Sequence, residues 1–329
     1  MSTQQQTSDL LAEFERLSVH LRKARSTLGE VIFGQEEVID QSLTTLAAGG
    51  HGLLVGAPGL AKTLLVETIA MVLGLSERRI QFTPDLMPAD ILGAEVLEEA
   101  SDGKRSFRFL PGPVFCQLLM ADEINRASPR TQSALLQAMQ EHHVTIAGER
   151  RDLPEPFHVL ATQNPIEQEG TYPLPEAQLD RFLMQINVDY PSEAAERRML
   201  AATTGSTKHK VTAVMNAEDL RDVQSFVRKM PIGEALVDRI LSLVRSARPG
   251  IVDNDETALI AWGPGPRATQ ALSLCVRARA LIDGRPAPSM EDVEALALPV
   301  LRHRMALTFT ARAEGHTTDS LITSLLEKN

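Results

Sequence analysis

Apolar residues repeat at helical spacing in the first fifty positions of the chain. One series runs from about Asp9 to Glu30 and another from Val38 to Leu46, and both predict helices. The period then changes, because His51–Val55 is a short apolar run before a glycine- and proline-rich turn, and helical spacing returns from Lys62 to Leu73. This order predicts a strand, a glycine loop and a helix.

Short apolar runs recur farther along the chain, with helical stretches between several of them. They cover 79–82, 117–121, 157–162 and 182–188. Buried runs that alternate with helices indicate a parallel sheet covered by helices on both faces. After Tyr190–Pro191 the strand signals fade and helical spacing dominates, over 193–204, 217–229, 233–247, 266–282 and 289–299. The sequence therefore predicts an α/β domain over 1–191 and a smaller all-α domain over 192–329.

Two segments interrupt the α/β pattern. Residues 94–110 predict two strands around the turn Asp102–Gly103, and residues 143–153 predict a second, tighter hairpin. Taken alone, both patterns are as consistent with decorative insertions as with functional ones.

Composition places the chain among ordinary globular proteins, with 43% hydrophobic and 23% charged residues. Acidic residues outnumber basic ones by 43 to 33, which argues against a general binder of nucleic acid or anionic membranes. The two cysteines, Cys116 and Cys275, lack metal-binding spacing, as is typical of a reducing compartment. The polar start Met1–Gln6 lacks the apolar core of a signal peptide, and no apolar run approaches the ~20 residues that span a bilayer. We therefore expect a cytoplasmic protein without membrane insertion.

The glycine loop after the first strand has the residue types that bind phosphate. It consists of Gly56, Ala57, Pro58, Gly59, Leu60, Ala61, Lys62 and Thr63. Backbone N–H groups at a helix N-terminus can cradle a β-phosphate, Lys62 can reach the β and γ oxygens, and Thr63 can supply a hydroxyl to Mg²⁺. Ala61 stands where the wider pattern has glycine, and this alanine costs little if its φ is negative, because its methyl group can then point away from the phosphates. The alternative is an ordinary glycine turn between a strand and a helix.

A second apolar run, 118–121, ends in the carboxylates Asp122 and Glu123. At a strand end, period-two alternation sends adjacent side chains to different sides. Asp122 can then hold Mg²⁺ through water, while Glu123 orients a water in line with the γ-phosphate, as phosphoryl transfer requires. The alternative is a solvated acidic pair after a buried strand, which the lysine loop upstream makes the weaker interpretation.

Three further polar residues are candidates for the same chemistry. Asn164 follows the apolar run 157–163 and could share the attacking water, although Asn-Pro is also a common turn starter. Arg181 precedes the last strand-like run, and its alternative is a surface ion pair with Asp180 or Glu176. Arg267 lies in the first turn of a helix, an end that prefers anions, so it indicates either a phosphate ligand or simple exposure to solvent.

With these residues assembled, the chain resembles the MoxR branch of the AAA+ ATPases from about Val31 to Arg304. The motifs that carry the resemblance are Val31–Gln35, Gly56–Thr63, Asp122–Ala127, Thr131–Leu136, Met139–Glu141, Ala161–Pro165, Gly170–Ala177 and Leu179–Phe182. Loops of this branch commonly carry alanine at the position of Ala61. The implied fold is an AAA+ P-loop parallel sheet flanked by helices and followed by a smaller all-α lid domain.

The resemblance also implies how the site is assembled. The Asn164 strand is expected between the strands that end at the Lys62 loop and at Asp122, which places Walker A, Walker B and sensor 1 around one γ-phosphate. Gly34 and Gln35 would line the adenine pocket. Arg181 matches the arginine finger that reaches nucleotide on a neighbouring subunit, and Arg267 matches sensor 2, acting either in its own site or in a neighbour's.

The resemblance finally implies a function. Its members use ATP and Mg²⁺, and we expect a ring, a hexamer, that remodels, assembles or matures a protein complex or metalloenzyme together with a partner that carries a von Willebrand factor A (VWA) domain. The client protein is not identified by the sequence. The hairpins match the helix-2 insert (94–110) and the pre-sensor-1 insert (143–153), which would face the pore.

Two other functions remain open at this stage. A nucleic-acid motor of the same clade is one, because basic residues lie on the two hairpins, namely Lys104, Arg105, Arg108, Arg150 and Arg151. A nucleotide switch that does not hydrolyse ATP is the other. In the second domain, Arg302–Arg304 and the final helix over 319–329 are interpreted as solvated faces, with docking surfaces as the alternative.

Overall fold

A five-stranded parallel sheet forms the centre of the structure, a computed structural model that describes residues 3–99, 105–167, 170–204, 211–251 and 255–328. The strands are β1 (Gly52–Val55), β2 (Glu77–Gln81), β3 (Gly93–Glu99), β4 (Arg105–Pro111), β5 (Leu118–Asp122), β6 (His143–Ile146), β7 (Glu149–Asp152), β8 (His158–Gln163), β9 (Met184–Asn187), β10 (Ile260–Trp262) and β11 (Ala306–Leu307). The five strands of the sheet lie in the order β2-β5-β8-β1-β9.

Helices cover the sheet and form most of the second half of the chain. They are α1 (Thr3–Gly29), α2 (Glu36–Ala47), α3 (Lys62–Val72), α4 (Pro88–Leu92), α5 (Pro129–Glu141), α6 (Glu176–Leu179), α7 (Glu193–Thr204), α8 (Ala217–Lys229), α9 (Glu234–Ser246), α10 (Asp255–Ala258), α11 (Pro266–Ile282), α12 (Met290–Leu301), α13 (Phe309–Ala313) and α14 (Thr318–Lys328). Short 3-10 turns follow β5 and α12. Among the described residues, no helix combines the length and the hydropathy that crossing a membrane requires.

The strand register brings the polar ends of three strands to one edge of the sheet. Within β1 and β8, Leu54 pairs with Thr162 and Val55 with Gln163, while Ala121 of β5 pairs with Ala161 of β8. The carboxyl ends of β1, β5 and β8 therefore lie side by side. The predicted position of the Asn164 strand, between the other two, is confirmed.

The apolar core continues from the sheet into the second half of the chain. One buried cluster joins Leu21 of α1 and Leu54 of β1 to Leu272 of α11 and Leu321 of α14. Helix α11 packs against α1 and α2, and α12 packs against β9. Tyr190–Pro191 does fall between the last sheet strand and α7, but the two predicted domains share a core, so their boundary stays a prediction.

The second half of the chain is a helical lid with one addition. Strands β10 and β11 form an antiparallel ribbon in which Ile260 pairs with Leu307. The sequence analysis did not predict this ribbon, because strands of three and two residues are too short to produce a detectable alternation. The predicted helices of the lid are otherwise present, within a few residues at their ends.

Both predicted hairpins are present. Strands β3 and β4 pair from Gly93 with Pro111 to Glu99 with Arg105, and β6 pairs with β7. The turn predicted at Asp102–Gly103 lies outside the described residues. The hairpins touch each other, because the Arg151 guanidinium lies 4.1 Å from the ring centroid of Phe109. They therefore form a joined unit.

Candidate active site

The glycine loop connects β1 to α3, and its lysine folds back over it. The Nζ of Lys62, the first residue of α3, donates hydrogen bonds of 2.7 Å to the carbonyl oxygens of Gly56 and Ala57. Partial burial lowers the pKa of Lys62, and the negative charges of Asp122 and Glu123 oppose that effect. The ammonium group thus lies between the loop and the two carboxylates.

The negative φ that would make alanine inexpensive at position 61 is not observed. Ala61 has φ 57° and ψ 22°, in the left-handed region, where it forms the N-cap of α3. A residue with a Cβ pays about 1–2 kcal/mol for this conformation, and glycine does not. The loop has to reverse its backbone just before the helix starts, which explains why the wider pattern has glycine here. Alanine is tolerated, but at a cost in strain.

The loop and the polar strand ends line one cavity of about 410 Å³. The residues that surround it are Pro58, Gly59, Leu60, Ala61, Lys62, Thr63, Leu64, Asp122, Glu123, Thr162 and Asn164. Five predicted polar residues, Lys62, Thr63, Asp122, Glu123 and Asn164, are therefore brought together. Parallel strands produce this arrangement because their carboxyl ends meet at one edge of the sheet, where open α/β sheets bind ligands.

Thr162 of β8 holds both carboxylate residues and was missed by the sequence analysis. Its buried hydroxyl donates to Asp122 Oδ1 at 2.5 Å and accepts from the backbone N–H of Glu123 at 2.8 Å. Glu123 leaves β5 with a left-handed backbone at φ 55°, so this turn as well as strand alternation separates its side chain from that of Asp122. A polar residue inside the buried run 157–162 was the available signal.

The edge strand β2 supplies two further contacts that the sequence analysis missed. Arg79 donates to Asp122 Oδ2 at 2.6 Å, and Gln81 donates to Glu123 Oε2 at 2.7 Å. Arg126, in the turn after β5, donates to the same Glu123 oxygen at 3.1 Å. Residues 79 and 81 share a face because strand side chains alternate. Two long polar side chains at alternate positions of a short strand were the signal.

Asn164 begins a turn and also lines the cavity. It is buried at the edge of the cavity, and its Oδ1 accepts a hydrogen bond of 3.1 Å from the N–H of Ile166. The side chain therefore starts the turn and also faces the site.

The predicted metal residues have the chemistry that Mg²⁺ requires. The hydroxyl of Thr63 and the carboxylate of Asp122 line the same cavity, and Mg²⁺ prefers oxygen ligands. Because each Asp122 oxygen already accepts a hydrogen bond, the carboxylate suits contact through water. No three His, Cys, Asp or Glu side chains converge as a metal site within the described part of the chain. Thr63 and Asp122 thus provide part of a coordination shell that water and phosphate would complete.

A second, mostly apolar cavity of about 280 Å³ adjoins the loop. Val31–Phe33 and Gln35 line one side of it, and Tyr190, Pro191 and Met199 line the other. The amide of Gln35 donates to the carbonyl of Asp189 at 2.7 Å. This shape and polarity fit a purine ring.

Gly34 lies beside this apolar cavity, at a position where the backbone conformation and the close packing require glycine. Its φ is +67°, and a Cβ there would lie 2.4 Å from the Cβ of Ala195. Glycine therefore allows the segment before α2 to pack closely against the start of α7.

The two predicted arginines lie elsewhere, together. Arg181 and Arg267 line a third cavity of about 250 Å³ that also includes Gly49–His51, at the amino end of β1. Arg181 donates to the carbonyl of Leu136 at 2.8 Å, whereas Arg267 lies 3.7 Å from the carboxylate of Asp180. The loop cavity is at the carboxyl end of β1, so the structure places these arginines at the opposite end of the sheet from Lys62.

The interpretation of Arg302–Arg304 as a solvated face is wrong. Arg304 and His303 are buried, and both bond to the backbone around Arg181. Arg302 forms a 3.0 Å ion pair with Asp319 of α14. These residues lie in a short 3-10 turn and not in an amphipathic helix, so no periodicity in the sequence indicates that they are buried.

Comparison with known proteins agrees with this geometry. The sequence model of the ATPase family associated with various cellular activities (AAA) matches residues 51–184, and that of the AAA lid domain matches residues 253–325. The chain is 42% identical to Chaperone MoxR1 of Mycobacterium tuberculosis, over 96% of this chain and 84% of that protein. It is 33% identical to Protein MoxR of Paracoccus denitrificans, over 87% and 88%.

A solved structure from Cytophaga hutchinsonii, described as a candidate ATPase, superposes with a TM-score of 0.89 at 36% identity and covers 100% of this chain and 99% of its own. The similarity thus extends over most of the length of this chain and of each of these relatives. The chain belongs to the MoxR family of AAA+ ATPases.

Proposed function

We propose that this protein is a Mg²⁺-dependent ATPase that works as an oligomeric ring and uses ATP to remodel, assemble or mature a protein complex or metalloenzyme. The observation that carries the proposal is the separation of two sets of site residues. Lys62 and the carboxylates share one cavity, while Arg181 and Arg267 share another at the opposite end of β1. Each chain therefore carries one incomplete site at each end of β1. A neighbouring copy can complete the loop cavity with its arginines, and the chain's own arginines can complete the loop cavity of another copy.

Nucleotide binding would use the loop and the two cavities beside it. The purine would enter the apolar cavity next to Gln35, and the phosphates would lie along the loop at the N-terminus of α3. The Nζ of Lys62 would exchange its two loop carbonyls for phosphate oxygens. Mg²⁺, when bound through Thr63 and Asp122, neutralises charge that develops on the phosphates.

Hydrolysis would depend on Glu123 and Asn164. Glu123 would accept a proton from the attacking water, and Gln81 and Arg126 hold its carboxylate at the edge of the cavity. Asn164 would orient the same water. This division of roles favours hydrolysis over the alternative of a nucleotide switch that does not turn over.

The arginine pair would act on the nucleotide of a neighbour. An arginine finger supplied by a second subunit is worth about 10³–10⁵ in rate. A contact between the carboxyl end of β1 in one copy and the amino end in the next is head-to-tail, and such contacts close into rings. We propose six copies, with Arg267 acting in the neighbour's site together with Arg181 rather than in its own.

A protein client suits the hairpins better than nucleic acid does. The arginines on the described hairpin residues pair with carboxylates, at 3.0 Å for Arg105 with Glu99 and 2.8 Å for Arg150 with Asp152. Arg108 and Arg151 likewise pair with Glu98 and Glu149. Lys104 lies outside the described residues. We propose a protein client and a VWA-domain partner, in the cytoplasm, where the two free, buried cysteines stay reduced.

Dilution tests the proposal directly. Turnover per subunit is measured across a concentration series while light scattering reports the oligomeric state. We expect specific activity to fall at least about 10-fold as the ring dissociates, because each site then loses the neighbour's arginine. Arg181→Ala should bind ATP normally and stay slow at every concentration. A specific activity that stays constant down to monomers contradicts the proposal.

A further inference from the structure

Arg304 of the lid is a buried arginine, with only 2% of its side chain exposed, and its bonds converge on the segment that carries Arg181. Its Nε donates to Asp180 Oδ1 at 2.8 Å. Its two terminal nitrogens donate to the carbonyl oxygens of Phe182 at 2.6 Å and Leu183 at 3.0 Å. One guanidinium therefore holds the chain on both sides of Arg181.

Two neighbouring contacts extend this arrangement. His303 donates from Nε2 to the same Phe182 carbonyl at 3.0 Å. Asp180 uses its two oxygens for different arginines, because Oδ1 accepts from Arg304 and Oδ2 lies 3.7 Å from Arg267. The buried Arg304 thus connects to Arg181 through the backbone and to Arg267 through a shared carboxylate.

We propose that Arg304 is a positioning residue that fixes Arg181 and Arg267 in the orientation needed to reach a neighbour's nucleotide. The inference rests on the proposed function, since it takes both arginines to act between subunits. Arg304 itself is too buried to touch that nucleotide. Its effect is to tie the lid, which carries Arg267, to the segment that carries Arg181, so that the two arginines move as one unit.

The chemistry of the contact requires a guanidinium. Five acceptors surround Arg304, including the carbonyls of Val300 and Asp180, and the planar fork with five N–H groups can serve them all. Burial lowers the pKa of Arg304, and the hydrogen bond that Arg304 donates to the Asp180 carboxylate opposes this effect. A lysine has three N–H donors on a single nitrogen, so it could not bond to all the acceptors of residues 180–183.

The test uses Arg304→Lys, with Arg302→Lys as the matched control. Arg302 lies in the same turn but pairs with Asp319 inside the lid, so the same substitution there does not touch residues 180–183. We expect Arg304→Lys to lose turnover on the order of 10²-fold, as misplaced catalytic groups do, while its affinity for a fluorescent ATP analogue stays within about twofold. Arg302→Lys should retain normal turnover.

Mixing of variants distinguishes positioning between subunits from a defect within one subunit. A Glu123→Gln subunit has an inactive nucleotide pocket and correctly placed arginines. An Arg304→Lys subunit is expected to have an intact nucleotide pocket and misplaced arginines. Rings assembled from equal amounts of both should recover about a quarter of wild-type turnover, because about one contact in four joins an intact pocket to intact arginines. Arg181→Ala mixed with Glu123→Gln serves as the reference.

Each outcome of the mixing experiment has a distinct meaning. If the Arg181→Ala reference recovers activity and Arg304→Lys does not, the positioning role is wrong and the proposed function stands. If neither mixture recovers, hydrolysis between subunits is wrong and the positioning role fails with it. If circular dichroism shows that Arg304→Lys does not fold, Asp180→Asn is used in its place. Asp180→Asn removes the negative charge that joins Arg304 to Arg267, so its mixture with Glu123→Gln should recover the same quarter of wild-type turnover.

Discussion

At the scale of single residues, Thr162 is the contact that joins the carboxylate of Asp122 to the backbone of Glu123. A threonine in a buried strand can be exchanged for valine with little change of shape, but here the hydroxyl both donates to Asp122 and accepts from Glu123. Its removal leaves a buried N–H and a buried carboxylate oxygen short of one bond each. The cost of such unsatisfied groups is about 1–3 kcal/mol.

We therefore expect Thr162→Val to lower the free energy of unfolding by about 1–3 kcal/mol and turnover by at least about 10-fold, because Asp122 and Glu123 lose a shared anchor. Urea denaturation and a phosphate-release assay measure the two effects. Thr68→Val is the control, since the buried Thr68 hydroxyl donates to Leu64 within its own helix. Equal losses in both variants would show that Thr162 has no special role in the site.

Substitution of Ala61 is expected to raise the free energy of unfolding, in contrast to substitution of Thr162. Its left-handed backbone is strained for alanine, so Ala61→Gly should raise the free energy of unfolding by up to about 1 kcal/mol and leave nucleotide binding intact. Ala57→Gly, in the same loop but outside the left-handed region, should instead destabilise by about 0.5 kcal/mol. Chemical denaturation of both variants checks the contrast, and destabilisation by Ala61→Gly would contradict the account of strain.

At the scale of elements, buried histidines join the amino ends of β1 and β8 to the helices around them. His51 Nδ1 accepts from the N–H of Val159, and its Nε2 donates to the carbonyl of Met139 in α5. His158 donates from Nδ1 to Gly50 and accepts at Nε2 from Gln224 of the lid helix α8. Each ring must therefore be neutral, with one nitrogen as donor and the other as acceptor.

Burial lowers the pKa of His51 to about 3 and that of His158 to about 4, from an ordinary value near 6.5. Below pH 6.5 the unfolded chain therefore binds protons that the folded chain does not, so stability is full above pH 6.5 and is lost as pH falls. From pH 6.5 to pH 5 each histidine should remove up to about 2 kcal/mol. His158→Asn should reduce this slope, while the exposed His316→Asn should not, as urea denaturation at several pH values can measure.

At the scale of the whole molecule, net charge and the structure of the hairpins bear on which class of macromolecule can bind to the protein. The chain has a net charge of −10, and the arginines on the described hairpin residues already have carboxylate partners. Binding to DNA requires unpaired basic groups that can replace phosphate counterions. The hairpins therefore offer little to a nucleic acid backbone.

We expect single- and double-stranded DNA to leave turnover within about twofold of its basal value, even at low salt where phosphate contacts are strongest. A VWA-domain protein from the same organism should stimulate it. A phosphate-release assay with each addition makes the comparison, with Glu123→Gln as the blank. Stimulation by DNA that disappears at high salt would favour the nucleic-acid motor instead.

The order of the elements and the main parts of the site could be predicted from the amino-acid sequence. The change of hydrophobic period at position 51 identified the strand, loop and helix, and apolar runs followed by Asp122 or Asn164 located polar strand ends. These residues meet because parallel strands share one carboxyl edge, and that rule needs no three-dimensional information. The lysine loop and the hairpins were predictable for the same local reasons.

The residues that hold that site in place are visible in the folded chain and not in the sequence pattern. Thr162, Gln81 and Arg79 act through the register between strands that are about 40 residues apart in the chain, and no local pattern encodes that register. The burial of Arg304 depends on how the lid packs against the segment beside β9. Contacts of this kind arise from the packing of distant elements, so periodicity and motifs reveal the residue types but not the partners they find.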